Sequence, residues 1–431
     1  MTRRGPRPIG LHLMLSAMRW SGLPIASMLS SGAWPALKSL ASGPTPLPSL
    51  LDRLAQPLAN ASGNPPDPFA FTAEVAAGLA RADREMIAGI AQYRRHPAVR
   101  SLSTPPAIWS EGGSRLLDYS AGSQPNGRHP GPVVLVVPSL VNRAEVLDLD
   151  EGASLMRGLS TLGLRPLLLD WGWPGELERG FTLTDYVAGR LERALVAGAA
   201  WAGQGRGQRA GSAASVLLAG YCMGGLLAVA VAQRRPELVG GLALLATPWD
   251  FHATEGEPGS AERPRLVQAL LPVLEPFLAQ GALPVDLLQS LFSTIEPFGI
   301  AAKYRAFSRI DPASARARRF VLLEDWLNDG VPLAAPVARE ALSGWYGRND
   351  PAHGRWRIAG ESVDPGRIAA PCFVAVPSRD RIVPPASAIA LAERLPLASL
   401  HRARAGHVGM VAGERAREEL WSPLASWALG L

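Results

Sequence analysis

A doubly wound α/β fold is what the sequence predicts: a mostly parallel central sheet, helices on both faces and a helical insertion. Three observations lead there. Short, wholly apolar runs at residues 133–137, 166–169, 216–219, 242–245 and 372–376 have the length and solid hydrophobicity of strands covered on both sides. Segments with helical spacing alternate with those runs, the arrangement that gives parallel strands joined by crossovers. Between Pro248 and about Arg348 the strand signal stops and only helical spacing remains. An insertion between two sheet strands is the usual place for a helical cap. The 431 residues, 47% of them apolar, are enough for one large domain with additions. The expected division is an N-terminal extension over 1–104, a core over 105–247 and 349–431, and a cap over 248–348.

In chain order, residues 1 to about 66 are rich in Pro, Ser, Gly and Leu, with Gly43-Pro44-Thr45-Pro46 and Asn64-Pro65-Pro66 as breakers. They read as a loosely structured or short-helix extension. Arg3, Arg4 and Arg7 precede Ile9-Gly10-Leu11-His12-Leu13-Met14-Leu15. That run is short, contains His12 and soon meets Arg19, so it fits an amphipathic, lipid-contacting segment better than a secretion signal. Thr72 is expected to cap a helix reaching about Tyr93, with Val75, Leu79, Met86, Ile87 and Ile90 near one face and His96-Pro97 beyond its end. Leu155, Leu159 and Leu162 mark a helix stopped by Gly163. Thr182-Leu183-Thr184-Asp185 forms a capping box for the next helix. In the insertion, residues 266–278, 285–295 and 318–327 read as helices. The sheet resumes at Cys372 and again near Leu400. A helix from Glu414 to Trp421, then Pro423, closes the chain.

The most informative stretch is residues 216–232, VLLAGYCMGGLLAVAVA. An apolar strand leads into Gly220-Tyr221-Cys222-Met223-Gly224-Gly225 and then a small-residue helix, the layout of a nucleophile elbow with cysteine at its apex. Gly220, Gly224 and Gly225 supply room where strand and helix cross. A sulfur between a strand's carboxyl end and a helix's amino end is favoured as thiolate. The glycines and Arg234-Arg235 argue against a membrane span, and the stretch is at the short limit for one.

A thiol nucleophile needs a base, and the base needs an orienter. The 372–376 strand runs into Ser378-Arg379-Asp380-Arg381, and the last strand into Gly406-His407. The chain order Cys222, Asp380, His407 is nucleophile, acid, histidine, the order of the α/β-hydrolase fold. His407 would take the thiol proton while Asp380 fixes its tautomer. His401 is the nearest rival, but it falls inside a predicted strand. Two N–H donors for an oxyanion are expected from the backbone of Met223 and, after the 133–137 strand, of Leu140. Asn142 is either a side-chain contributor there or a turn residue.

Composition excludes some classes. The 43 Lys+Arg against 37 Asp+Glu leave a formal charge of +6, and Lys38 and Lys303 are the only lysines. No zinc spacing, RNA-binding signature or long basic run accompanies that excess, so no nucleic-acid partner and no metal are expected. No cofactor is called for. Two cysteines, Cys222 and Cys372, do not make a disulfide framework, which favours a reducing cytoplasm. Cys372 lies within a strand and reads as core packing.

The elbow Gly220-Tyr221-Cys222-Met223-Gly224-Gly225 resembles the G-x-C-x-G-G box of polyhydroxyalkanoate synthases. Val134 through Arg143, Leu169-Asp170-Trp171-Gly172-Trp173-Pro174, Thr184-Asp185-Tyr186-Val187, Asp380 before Ile382-Val383-Pro384, and Gly406-His407 are similar to that family too. The likeness covers roughly residues 85–430 and is weakest in the insertion. After His407 the chain departs from the family, running Val408-Gly409-Met410. The resemblance implies a 3-hydroxyacyl-CoA substrate, a chain carried on Cys222, homodimers and association with polyester granules. A thioesterase or polyester depolymerase using the same three residues is one competing reading. A non-catalytic granule protein is another.

Overall fold

The computed structural model describes residues 3–22, 68–120, 131–204, 214–253, 263–293 and 298–431. The breakers at 43–46 and 64–66 lie outside them. The backbone contacts separate two compact units, residues 1–97 with 289–321 and residues 98–288 with 322–431. This division cuts across the expected boundaries, because part of the insertion groups with the N-terminal segment and the remainder groups with the core.

The larger unit is built on an eight-stranded sheet: β1 (Ala107–Glu111), β2 (Ser114–Asp118), β3 (Val133–Val137), β4 (Arg165–Asp170), β5 (Val216–Tyr221), β6 (Val239–Leu245), β7 (Cys372–Pro377) and β8 (Ala398–Ala403). Their spatial order is β1-β2-β4-β3-β5-β6-β7-β8. The pairs β1/β2 and β2/β4 are antiparallel, and every pair from β4 onward is parallel. The mostly parallel sheet expected from the apolar runs is therefore present. Every residue of β3, β5 and β7 is buried, as strands covered on both faces require. The hairpin β1–β2 carried no solid apolar run. β1 is an edge strand with a half-exposed pattern, so its register depends on a neighbour rather than on its own sequence.

From β3 the chain goes to β4 on one side and β5 on the other. A ligand crevice opens at such a reversal, outside the strands' carboxyl ends. Register aligns those ends, with Val137 opposite Gly220 and Tyr221 opposite Leu245. The loops that follow β3, β5, β7 and β8 therefore emerge along one edge.

Local signals largely hold. Ser154 caps the helix Leu155–Thr161 by accepting from the Arg157 N–H, and Gly163 follows at φ +94°. In the capping box, the Thr182 N–H reaches Asp185 at 2.8 Å and the Asp185 N–H reaches the Thr182 hydroxyl at 3.2 Å. Pro423 does not end the last helix as expected. It sits in the first turn of Ser422–Leu429, directly after a π-helical turn, where a missing N–H does no harm.

In the smaller unit the helix Pro68–Arg95 starts ahead of Thr72, with its proline in the first turn. It packs on Gly299–Phe307 so closely that a Cβ at Gly89 would lie 2.0 Å from the Tyr304 carbonyl oxygen. Met86 and Ile90 are buried there, but Ile87 is 55% exposed. The short helix Ile9–Met18 buries His12 and Ser16 and leaves Leu13, Met14 and Met18 outward. Among the described residues, no helix is long and apolar enough to cross a membrane.

Candidate active site

The elbow forms as its sequence requires. Cys222 has φ 55° and ψ −127°, a conformation that side chains strongly disfavour. Two backbone bonds hold it: its N–H donates to the Leu245 carbonyl at 2.9 Å, and its carbonyl accepts from Gly225 at 2.9 Å. The close approaches explain the glycines. A Cβ at Gly220 would sit 2.4 Å from Gly225 Cα, one at Gly224 2.2 Å from the Val137 carbonyl oxygen, and one at Gly225 1.9 Å from Thr247 Oγ1. The Gly224 contact also brings the start of the helix Met223–Arg234 against the end of β3. Met223 opens that helix, so its N–H has no acceptor within it. Leu140 lies in the turn after β3, buried, with the neighbouring Val141 N–H bonded to the Ser139 hydroxyl at 3.0 Å.

Asp380 and His407 converge from the ends of β7 and β8. Asp380 is buried, and its Oδ1 accepts from the N–H groups of Ile382 and Val383 at 2.8 and 2.9 Å. Its Oδ2 lies 2.7 Å from His407 Nδ1. The flanking Arg379 turns away and donates to the Arg404 carbonyl. Burial works against a charge on the His407 imidazole. Burial is the largest single influence, but negative charge on the neighbouring Cys222 sulfur, the bond to Asp380 and that carboxylate's charge together exceed it, and the imidazole is pushed up to about 10. Cys222, His407 and Asp380 are thus brought together. His401 is not among them; it stays in β8, with Nε2 2.6 Å from the Glu419 carbonyl oxygen. Cys372 is buried at the amino end of β7, where burial pushes its thiol up to about 12.

The partners of two neighbours carried no sequence signal. The Tyr221 hydroxyl donates to the His407 main-chain carbonyl at 3.3 Å, and its ring packs on the imidazole with centroids 5.1 Å apart. This tyrosine is fully buried, which raises its phenol well above the ordinary value. Its place beside Cys222 is readable, but its partner is 186 residues away. Tyr346, in the π-helical segment Glu340–Gly347, packs edge-on against Phe251 with centroids 4.9 Å apart. It is 40% exposed. Even so, crowding by the protein and then the Cys222 charge push its phenol up to about 12. Among the described residues there is no group of His, Cys, Asp and Glu that could hold a metal ion.

A sharp cysteine elbow, an Asp-supported histidine and a 1-2-4-3-5-6-7-8 sheet define a class of protein. The family profile for the alpha/beta hydrolase fold matches residues 132–413, and the chain belongs to that family. Within it, the chain is similar to proteins named poly(3-hydroxyalkanoate) polymerase subunit PhaC. The protein of that name from Haloferax mediterranei is 28% identical over 74% of this chain and 62% of its own length. The one from Synechocystis is 29% identical over 70% of this chain and 79% of its own, and the one from Allochromatium vinosum 26% over 76% and 88%. The alignment thus spans less than two thirds of the Haloferax relative. The resemblance read from the elbow and its neighbouring motifs is met by these relatives.

Proposed function

We propose that this protein is an acyltransferase that builds polyhydroxyalkanoate from 3-hydroxyacyl-CoA. One observation carries the reading: a strained Cys222 beside an imidazole whose Nδ1 lies 2.7 Å from Asp380. The kinship with polymerase subunits supplies the substrate class.

In this mechanism His407 accepts the Cys222 proton and the thiolate adds to the thioester carbonyl. The oxyanion lies against the main-chain N–H groups of Met223 and Leu140. When the intermediate collapses, the carbon–sulfur bond to CoA breaks, and His407 returns the proton so that CoA leaves as its thiol. The acyl group is then carried on Cys222. The hydroxyl of a second hydroxyacyl unit gives its proton to His407 and attacks that thioester, forming the ester bond and freeing the sulfur. Asp380 supports the imidazolium in both halves. Water in place of the second hydroxyl would make the same residues a thioesterase.

The reading extends to homodimers in the cytoplasm and to a polyester or lipid surface. Support for the surface comes from the smaller unit, where Ile9, Leu13, Ile87, Ile90 and Ala91 line an apolar groove of about 460 Å³ flanked by Arg94 and Arg95.

Incubation with 3-hydroxybutyryl-CoA tests the assignment by following CoA thiol, polymer and free acid together. Polymer with CoA release is the expected outcome. Free acid alone would make the protein a hydrolase, and no CoA release at any acyl length would leave a non-catalytic granule protein.

A further inference from the structure

A second site borders the candidate oxyanion loop. A cleft of about 130 Å³ lies at the carboxyl ends of β3 and β4, lined by Arg115, Leu140, Asn142, Arg143, Trp171 and Trp173 among others. Its walls are rigid. Gly172 takes φ +70°, and a Cβ there would sit 2.1 Å from the Gly113 carbonyl oxygen, so the loop is pressed onto the β1–β2 turn. The Trp171 indole N–H fastens the same loop to the Pro138 carbonyl at 3.0 Å. The loop nevertheless presents Trp173 with half its surface exposed. An indole held outward by a stiff turn is the kind of aromatic platform that planar ligands stack on.

The polar groups around it have capacity to spare. Arg115 bonds through one nitrogen to Asp170 Oδ2 at 2.7 Å and is 47% exposed, so its other donors face outward. Asp170 is committed on both oxygens, to Arg115 and to the Gly172 N–H at 3.1 Å. Arg143 is engaged by Glu145 and Asp329. Asn142 stands at φ +65°, a strained conformation for a side-chain-bearing residue, and its amide has no protein partner among the described residues. An exposed aromatic, a half-used guanidinium and an unpartnered amide converging on one cleft are the ingredients of a ligand site.

We propose that this cleft holds the nucleotide end of the thioester's carrier, with a purine on Trp173 and a phosphate on Arg115, while the acyl end reaches past Leu140 to Cys222. This rests on the CoA-thioester reading above. The test is chosen so that the two can fail separately. Binding of CoA itself is measured by calorimetry on the full-length wild type and on Trp173→Ala, with circular dichroism confirming that the variant folds. Turnover is then compared between 3-hydroxybutyryl-CoA and 3-hydroxybutyryl-pantetheine, which lacks the nucleotide. Trp173→Ala should bind CoA about tenfold more weakly, the loss of one base–indole stack. It should lose kcat/KM to the same extent with the CoA thioester and keep wild-type turnover of the pantetheine thioester. Wild-type CoA affinity in the variant, or an equal loss with both thioesters, would overturn the nucleotide cleft and leave the acyltransferase reading standing. A wild type that neither binds CoA nor releases it would sink both.

Discussion

The two cysteines occupy opposite ends of neighbouring parts of one sheet, and their surroundings differ in nearly every respect. Cys372 begins β7, buried, its thiol donating to the Ala370 carbonyl at 3.3 Å and pushed up to about 12 by burial alone. Cys222 follows β5, half-buried, at a backbone angle that only a tight bend imposes, beside an imidazole. Chemically identical side chains meet opposite surroundings at the amino and carboxyl edges. In a parallel sheet the carboxyl edge gathers loop ends and helix amino termini, so position along the strand, rather than residue type, sets a thiol's surroundings.

The contrast breaks most severely if Cys222 is dispensable. Replacing it with Ala should lower CoA release by about 10⁴-fold or more, and iodoacetamide at neutral pH should label Cys222 while sparing Cys372, as peptide mass mapping would record. Cys222→Gly should be equally inactive yet more stable, by roughly 1 kcal/mol in urea unfolding, because glycine tolerates positive φ. Asp380→Asn comes next, with an expected fall in CoA release of about 10²- to 10⁴-fold and little change in fold by circular dichroism.

Gly225 tests the bend itself. Gly225→Ala drives a Cβ to within 1.9 Å of Thr247 Oγ1, a buried hydroxyl without a hydrogen-bond partner among the described residues. A loss of about 1–3 kcal/mol is expected, and Thr247→Ala in the same chain should recover part of it; additive losses would show that the clash is not the cause. The pH dependence sharpens the comparison further. The imidazole of His407 is pushed up to about 10 from an ordinary 6.5, so its protonated form should contribute stability in full below pH 6.5, and that contribution should fade as pH rises through about 10. Melting temperature should therefore drop less between pH 7 and pH 10 in Cys222→Ser than in the wild type, since the serine leaves the imidazole without its anionic neighbour. The smallest effect belongs to Cys372→Ala: on the order of 1 kcal/mol of stability from a small buried cavity, with CoA release intact.

Much of this arrangement is legible in one dimension. The apolar runs at 133–137, 216–219 and 372–376 become β3, β5 and β7 because a strand buried on both faces has no polar positions to show. Cys222 and Asp380 stand out because each follows such a run, His407 because it follows the last strand, and parallel strands deliver their followers to one edge. The glycines of the elbow are legible for the same reason, since a sharp strand-to-helix turn leaves no room for Cβ atoms.

Other features come only from the folded chain. Residues 289–321 group with the N-terminal unit through the Gly89–Tyr304 approach, and nothing in either segment names the other. Tyr221 reaches the carbonyl of His407 across the sheet edge, and Trp173 is turned outward by a glycine pressed on the β1–β2 turn. Periodicity records whether a side chain is covered; it does not record which distant surface covers it. That choice is made by shape and hydrogen bonding once the elements pack, so a sequence can point to Cys222 before it can identify its neighbours.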